Sequence, residues 1–97
     1  MQTDRAESIG FSALLFLAGE TERLSQFLTL TGVTLEKIRE DSRAPDVLAA
    51  VLDHLLQDES LLLVFSASEG IPPEEIAPAR RALAEMAGEM ADPEFSV

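Results

Sequence analysis

The 97-residue chain has one histidine, His54, which adjoins Asp53 and lies four residues before Asp58. On a helix His54 and Asp58 share a face, and an imidazole beside carboxylates can begin a metal site or a proton relay. A metal site needs three or four ligands, however, and the other candidates are generic acids. The simpler reading is a histidine at the edge of the core, hydrogen-bonded to Asp58. No Ser or Thr sits at a recognisable nucleophile elbow for this one base. Cysteine is absent, which removes thiolate ligands, disulfides and thiol nucleophiles together. Carboxylate pairs occur throughout the chain, so none stands out, and the glycines are isolated rather than clustered around a phosphate. The expectation is no catalytic residue, no metal ligand set and no cofactor, in a protein that is not an enzyme.

A second chemistry is DNA recognition. The stretch "FLTLTGVTLEKI", Phe27 to Ile38, follows helix–turn–helix grammar: an apolar anchor, Gly32 at the turn, Val33, a hydroxyl cap at Thr34, and Ile38 four residues after the cap. Lys37, Arg39 and Arg43 would lie on or just past the reading helix, where phosphates could be met. Several residues depart from the pattern. Leu28 takes the crossing position that usually needs Ala, Thr31 replaces an apolar residue, and Asp41 stands where an apolar anchor should return to the core. The reading helix also carries Glu36 and Glu40.

Charge weighs further against nucleic acid. The net charge is −11, and it is uneven. Residues 1–45 hold five basic and seven acidic side chains, whereas residues 46–97 hold two and eleven. Such a surface repels nucleic acid and anionic lipid, and its second half suits a basic partner. The apolar run Ile9 to Gly19 is too short to span a bilayer, and "MQTDRAES" lacks the basic region of a signal peptide.

The elements that would carry these residues are helices. Leu and Ala dominate the apolar set, and Asn is absent. Asp4 and Glu7 have capping-box spacing ahead of "ESIGFSALLFLA", which Gly19 would end in the left-handed conformation. Thr21 would cap "ERLSQFLTLT", with Leu24, Phe27, Leu28 and Thr31 on its inner stripe. Gly32 would end that helix in a Schellman-type turn closed by Val33, and Thr34 would cap "LEKIRE". Pro45 opens "PDVLAAVLDHLLQ", and Asp58 would cap "ESLLLVFSASE", ended by Gly70 with Ile71 folding back. Pro78 should break the next turn, leaving a last helix "ARRALAEMAGEM". Met86 and Met90, one turn apart, suit core packing better than a partner groove. The two most apolar helices, around Leu14–Leu17 and Leu61–Phe65, should form the centre.

One phrase recurs. "FSASEGIPPEEI", Phe65 to Ile76, repeats the first phrase at an offset of 38 residues. Leu17 meets Leu55, Leu24 meets Leu62, Phe27 meets Phe65, Gly32 meets Gly70, Glu36 meets Glu74 and Ile38 meets Ile76. This fits either an internal duplication or two uses of one helix-cap grammar.

The blocks "ALLFLA", "ERLSQFLTLTGV", "VLAAVLDHLLQDESLLLVF" and "GIPPEEI" together resemble a domain-of-unknown-function family of short alphaproteobacterial proteins. The resemblance implies a small, stand-alone, cytoplasmic bacterial protein and supplies no site residues to carry over. Ala44 before Pro45 departs from the family's usual Asp cap, Pro78 is atypical, and His54 replaces an aromatic, which implies a packing position.

The resulting expectation is a single all-α domain over 1–91: a compact bundle of five to six short helices, as two pseudo-symmetric three-helix halves if the repeat is a duplication. Residues 92–97 should be a frayed tail. The expected function is protein–protein interaction, as a small acidic adaptor or regulator. Its partner would be a protein, with no nucleic acid and no membrane, and it would act as a monomer or weak homodimer. A degenerate helix–turn–helix regulator is the alternative. Gly32 and Gly70 are the assigned structural residues, as helix caps.

Overall fold

A computed structural model describes residues 1–90, and the expected tail lies outside them. The chain forms α1 (Thr3–Ala18), α2 (Thr21–Thr31), α3 (Leu35–Glu40), α4 (Pro45–Leu56), α5 (Glu59–Glu69), a 3-10 turn (Pro73–Glu75) and α6 (Ile76–Met90). The described residues form an all-α globule of these six helices, with no strand.

The centre differs from the expectation in one helix. α4 is the hub, packed by both α1 and α6. α5 is peripheral: only Phe65 and Ser66 of it are buried, and Leu63 and Val64 are 48% and 47% exposed. Apolar character all round a helix does not decide which neighbours cover it. α6 has the narrower but better spaced stripe, with Ile76, Ala79 and Leu83 fully buried. Its alanines let it approach α1 and α4 closely.

Several caps form as expected. Thr34 Oγ1 accepts from the Lys37 N–H at 3.1 Å, Asp58 Oδ1 accepts from the Leu61 N–H at 3.1 Å, and Pro45 opens α4. Others do not. Gln2 holds the cap position of α1 without a side-chain bond, and Asp4 lies inside the first turn. There it still complements the positive helix end. Gly19 is right-handed, at φ −68°, because Glu20 follows it and offers no apolar contact to close a left-handed turn. Thr21 is the first residue of α2, and Glu20 takes the cap position. The Glu20 carboxylate caps nothing because Arg23 holds it at 2.8 Å. Pro78 does not break the last helix. α6 begins at Ile76, so Pro78 sits in its first turn, where no N–H is needed.

Among the described residues Gly32 and Gly70 are the two in the left-handed conformation, at φ 79° and 67°. Their turns are built differently. At Gly70 both its own N–H and that of buried Ile71 reach the Ser66 carbonyl, the second at 3.2 Å, which makes the Schellman turn. At Gly32 only the glycine N–H returns to the helix, to Leu28 O at 3.0 Å. The Val33 N–H is taken instead by Thr31 Oγ1 at 3.2 Å, while that hydroxyl donates to Phe27 O at 2.6 Å. Thr31 is thus a turn-building residue, and Val33 is only half-buried. Replacing either glycine with Ala is expected to cost about 1 kcal/mol, since a side chain strains positive φ. Denaturant melts of both variants check this, and two neutral results would remove the cap argument.

The repeat extends well beyond the caps. At the offset of 38, α2 superposes in sequence on α5 from end to end. The buried residues of α1, Ala6, Ile9, Gly10, Ala13, Leu14 and Leu17, correspond to Ala44, Val47, Leu48, Val51, Leu52 and Leu55, all buried. Two aromatic contacts exchange as well. Phe16 and Phe65 lie 5.3 Å apart between ring centroids, and their counterparts His54 and Phe27 lie 5.4 Å apart. Helix-cap grammar dictates none of this. At the α1–α4 crossing Gly10 faces its own repeat counterpart, Leu48. The halves part company at α3, a six-residue helix whose counterpart is the 3-10 turn running into the long α6.

Candidate functional site

His54 is placed by α4 with its ring edge-on to Phe27 of α2, at 71°. It packs as an aromatic would, and it is only 8% exposed. The expected bond to Asp58 does not form. Asp58 belongs to the start of α5, where its carboxylate caps the Leu61 N–H. Asp53 is held elsewhere too, by Arg80 at 3.5 Å and by the Gln57 amide at 2.8 Å. Among the described residues no group of three or more His, Asp or Glu stands close enough to hold a metal ion.

A cleft of about 480 Å³ opens over the imidazole. Leu30, Gln26 and Thr31 of α2 form one wall, and Asp58, which caps α5, with Glu59 and Ser60 of that helix form the other. Glu59 is exposed and makes no ion pair among the described residues.

The first half builds the matching place differently. There Phe16 replaces His54, and the Arg23 guanidinium lies 4.4 Å from the Phe16 ring centroid. Glu20, the counterpart of Asp58, holds that guanidinium at 2.8 Å. The position matching Arg23 is Leu61, so the second half has the ring and the acid but no cation at the matching position.

A second recess of about 270 Å³ is apolar, lined by Phe11, Leu15, Leu24, Leu35 and Ile38. Its counterpart in the other half is lined by Ala49, Asp53 and Arg80 and closed by an ion pair. Leu15 and Leu35 remain 57% and 43% exposed on this face.

Two of the three basic residues that a DNA reader would use are engaged within the chain. Lys37 pairs with Asp46 at 3.6 Å. Arg43 pairs with Glu7 at 3.3 Å and stacks 4.0 Å over Phe11. α3 has no buried residue and does not pack broadly on α2. Met86 packs against the core, whereas the side chain of Met90 lies outside the described residues. No described helix is long and apolar enough to cross a membrane.

The two arginine–ring stacks carried no signal in the sequence, because Arg23 and Phe16 lie on different helices. The repeat offset pairs His54 with Phe16, and that correspondence was the available clue.

Residues 3–86 match a family model described as "Protein of unknown function (DUF3572)". No curated protein and no solved structure matches the chain.

Proposed function

We propose, for a chain that belongs to the DUF3572 family, a non-catalytic role as a small acidic adaptor or regulator whose second half meets a basic protein partner. The observation that carries this reading is the exposed and uncompensated charge of that half. Glu59, Glu69, Glu74 and Glu85 are all exposed, and none makes an ion pair among the described residues. Such a surface accelerates encounter with a cationic partner and discriminates against anionic ones. The proposed setting is a bacterial cytoplasm, with the protein a monomer or weak homodimer, a reading supported only by its likeness to short alphaproteobacterial proteins.

Affinity capture from the native cell, with identification by mass spectrometry, tests the reading. A partner held at low salt is expected to leave near 1 M salt, where screening acts over about 3 Å. Equal retention at both would contradict an electrostatic interface.

The helix–turn–helix alternative has less support. Its reading helix is a single short α3 whose nearby cations are paired within the chain. A gel shift at about 50 mM salt, where phosphate contacts are strongest, is expected to show no retarded DNA.

A further inference from the structure

We propose that the cleft over His54 receives the guanidinium group of an arginine side chain carried by the basic partner. The inference rests on the interaction reading above and gives its site a chemistry.

The protein supplies its own template. In the first half a ring, an acid and a guanidinium assemble as Phe16, Glu20 and Arg23. In the second half the repeat offset puts His54 and Asp58 at the positions of the ring and the acid, and an uncharged Leu61 at that of the arginine. His54 and Asp58 both line the cleft of about 480 Å³, whereas Leu61 does not reach it. Its floor holds an imidazole that is more than nine-tenths buried, at 8% exposure, and no hydrogen bond among the described residues reaches that ring. Its nitrogens are not among the buried side-chain atoms without a partner, where Ser66 Oγ stands, so they stay open to a ligand from the cleft.

The charge of the cleft selects a cation. Glu59 is unpaired, and Asp58 spends one carboxylate oxygen on its cap bond. A planar guanidinium can stack on a flat ring while its edge donates to carboxylates, which a compact ammonium cannot do as well. The exposed Leu30, at 67%, borders the cleft and suits the aliphatic stem of a long side chain. Free arginine is disfavoured, because its own carboxylate would meet Asp58 and Glu59.

The single histidine makes the test direct, since one set of imidazole proton signals reports on the cleft. The protein is titrated with N-acetyl-arginine amide, with the neutral N-acetyl-citrulline amide and with free arginine. The blocked arginine is expected to shift the His54 signals saturably, and the citrulline analogue to bind at least about tenfold more weakly, a difference of about 1.4 kcal/mol. Leu61→Arg should place the chain's own guanidinium in the cleft and abolish the response. Should that variant not fold, Glu59→Lys, at an exposed position, should weaken binding by a similar factor. No shift of His54, or an equal response to citrulline, overturns the proposal. Equal binding of free arginine overturns its assignment to a protein side chain. A missing shift beside a salt-sensitive captured partner would sink this inference alone and leave the interaction reading standing.

Discussion

Phe65→Ala is expected to destabilise the protein by about 3–5 kcal/mol, the range for deleting a fully buried aromatic ring. Phe65 is completely buried and closes the contact between α5 and Phe16 of α1. It is also one of only two residues that bury α5. A domain of this size commands about 5–15 kcal/mol in all, so the variant should stand near the edge of folding. The matching contact in the other half sharpens the expectation. Phe27 is equally buried and holds α2 against His54 in the matching contact, so Phe27→Ala should cost a similar amount. The chain has no Trp or Tyr, so urea melts are followed by far-ultraviolet circular dichroism. A cost below about 1 kcal/mol at Phe65 would mean that α5 is not held by this ring.

Gly10→Leu is expected to cost about 3 kcal/mol, or to prevent folding, through overpacking. A Cβ at Gly10 would lie 2.9 Å from Leu48 Cβ and 3.0 Å from a Leu83 methyl carbon. The first of these atoms is fixed to its backbone and cannot swing away. α1, α4 and α6 therefore meet at a point that tolerates no side chain, and α1 would have to lift from α4. Gly10→Ala is the graded control. It gains up to about 1 kcal/mol of helix propensity, which offsets part of the clash. The same melts measure both, and a stabilised Gly10→Leu would contradict the close crossing.

Much of the fold was legible where one residue type has one use. Gly32, Gly70, Thr34, Asp58 and Pro45 act locally, and the structure places each as its chemistry requires. The misreadings came where two uses competed. Glu20 was free to cap α2 or to pair with Arg23, and the guanidinium won it. Gly19 was read as a left-handed terminator, yet that turn needs an apolar residue after it, and Glu20 is not one. The missing N–H of Pro78 predicts a break and hence a late start for α6, yet the same ring is harmless in a first turn, where α6 places it. α5 was placed at the centre on apolar content alone. Content counts what a helix can bury, whereas α4 became the hub because α1 and α6 both close on it.

The candidate site was less legible than the fold. His54 drew attention through its neighbours Asp53 and Asp58, and both of those are committed elsewhere. Its context lies in Phe27 across the helix interface and in Phe16 through the repeat. Neither relation is short-range in sequence. The doubled phrase held the key to both, since the offset that aligns Gly32 with Gly70 also aligns Phe16 with His54 and Arg23 with Leu61.

The central claim is that the uncompensated acids of the second half carry the interaction. Its most direct measurement is capture from the native cell with the wild-type protein and with a variant in which Glu59, Glu69, Glu74 and Glu85 are all changed to Gln. These side chains make no ion pair among the described residues, so the fold should be retained by circular dichroism. The account predicts a partner recovered by the wild type at low salt and lost by the neutralised variant. Equal recovery of that partner by a folded variant would contradict it.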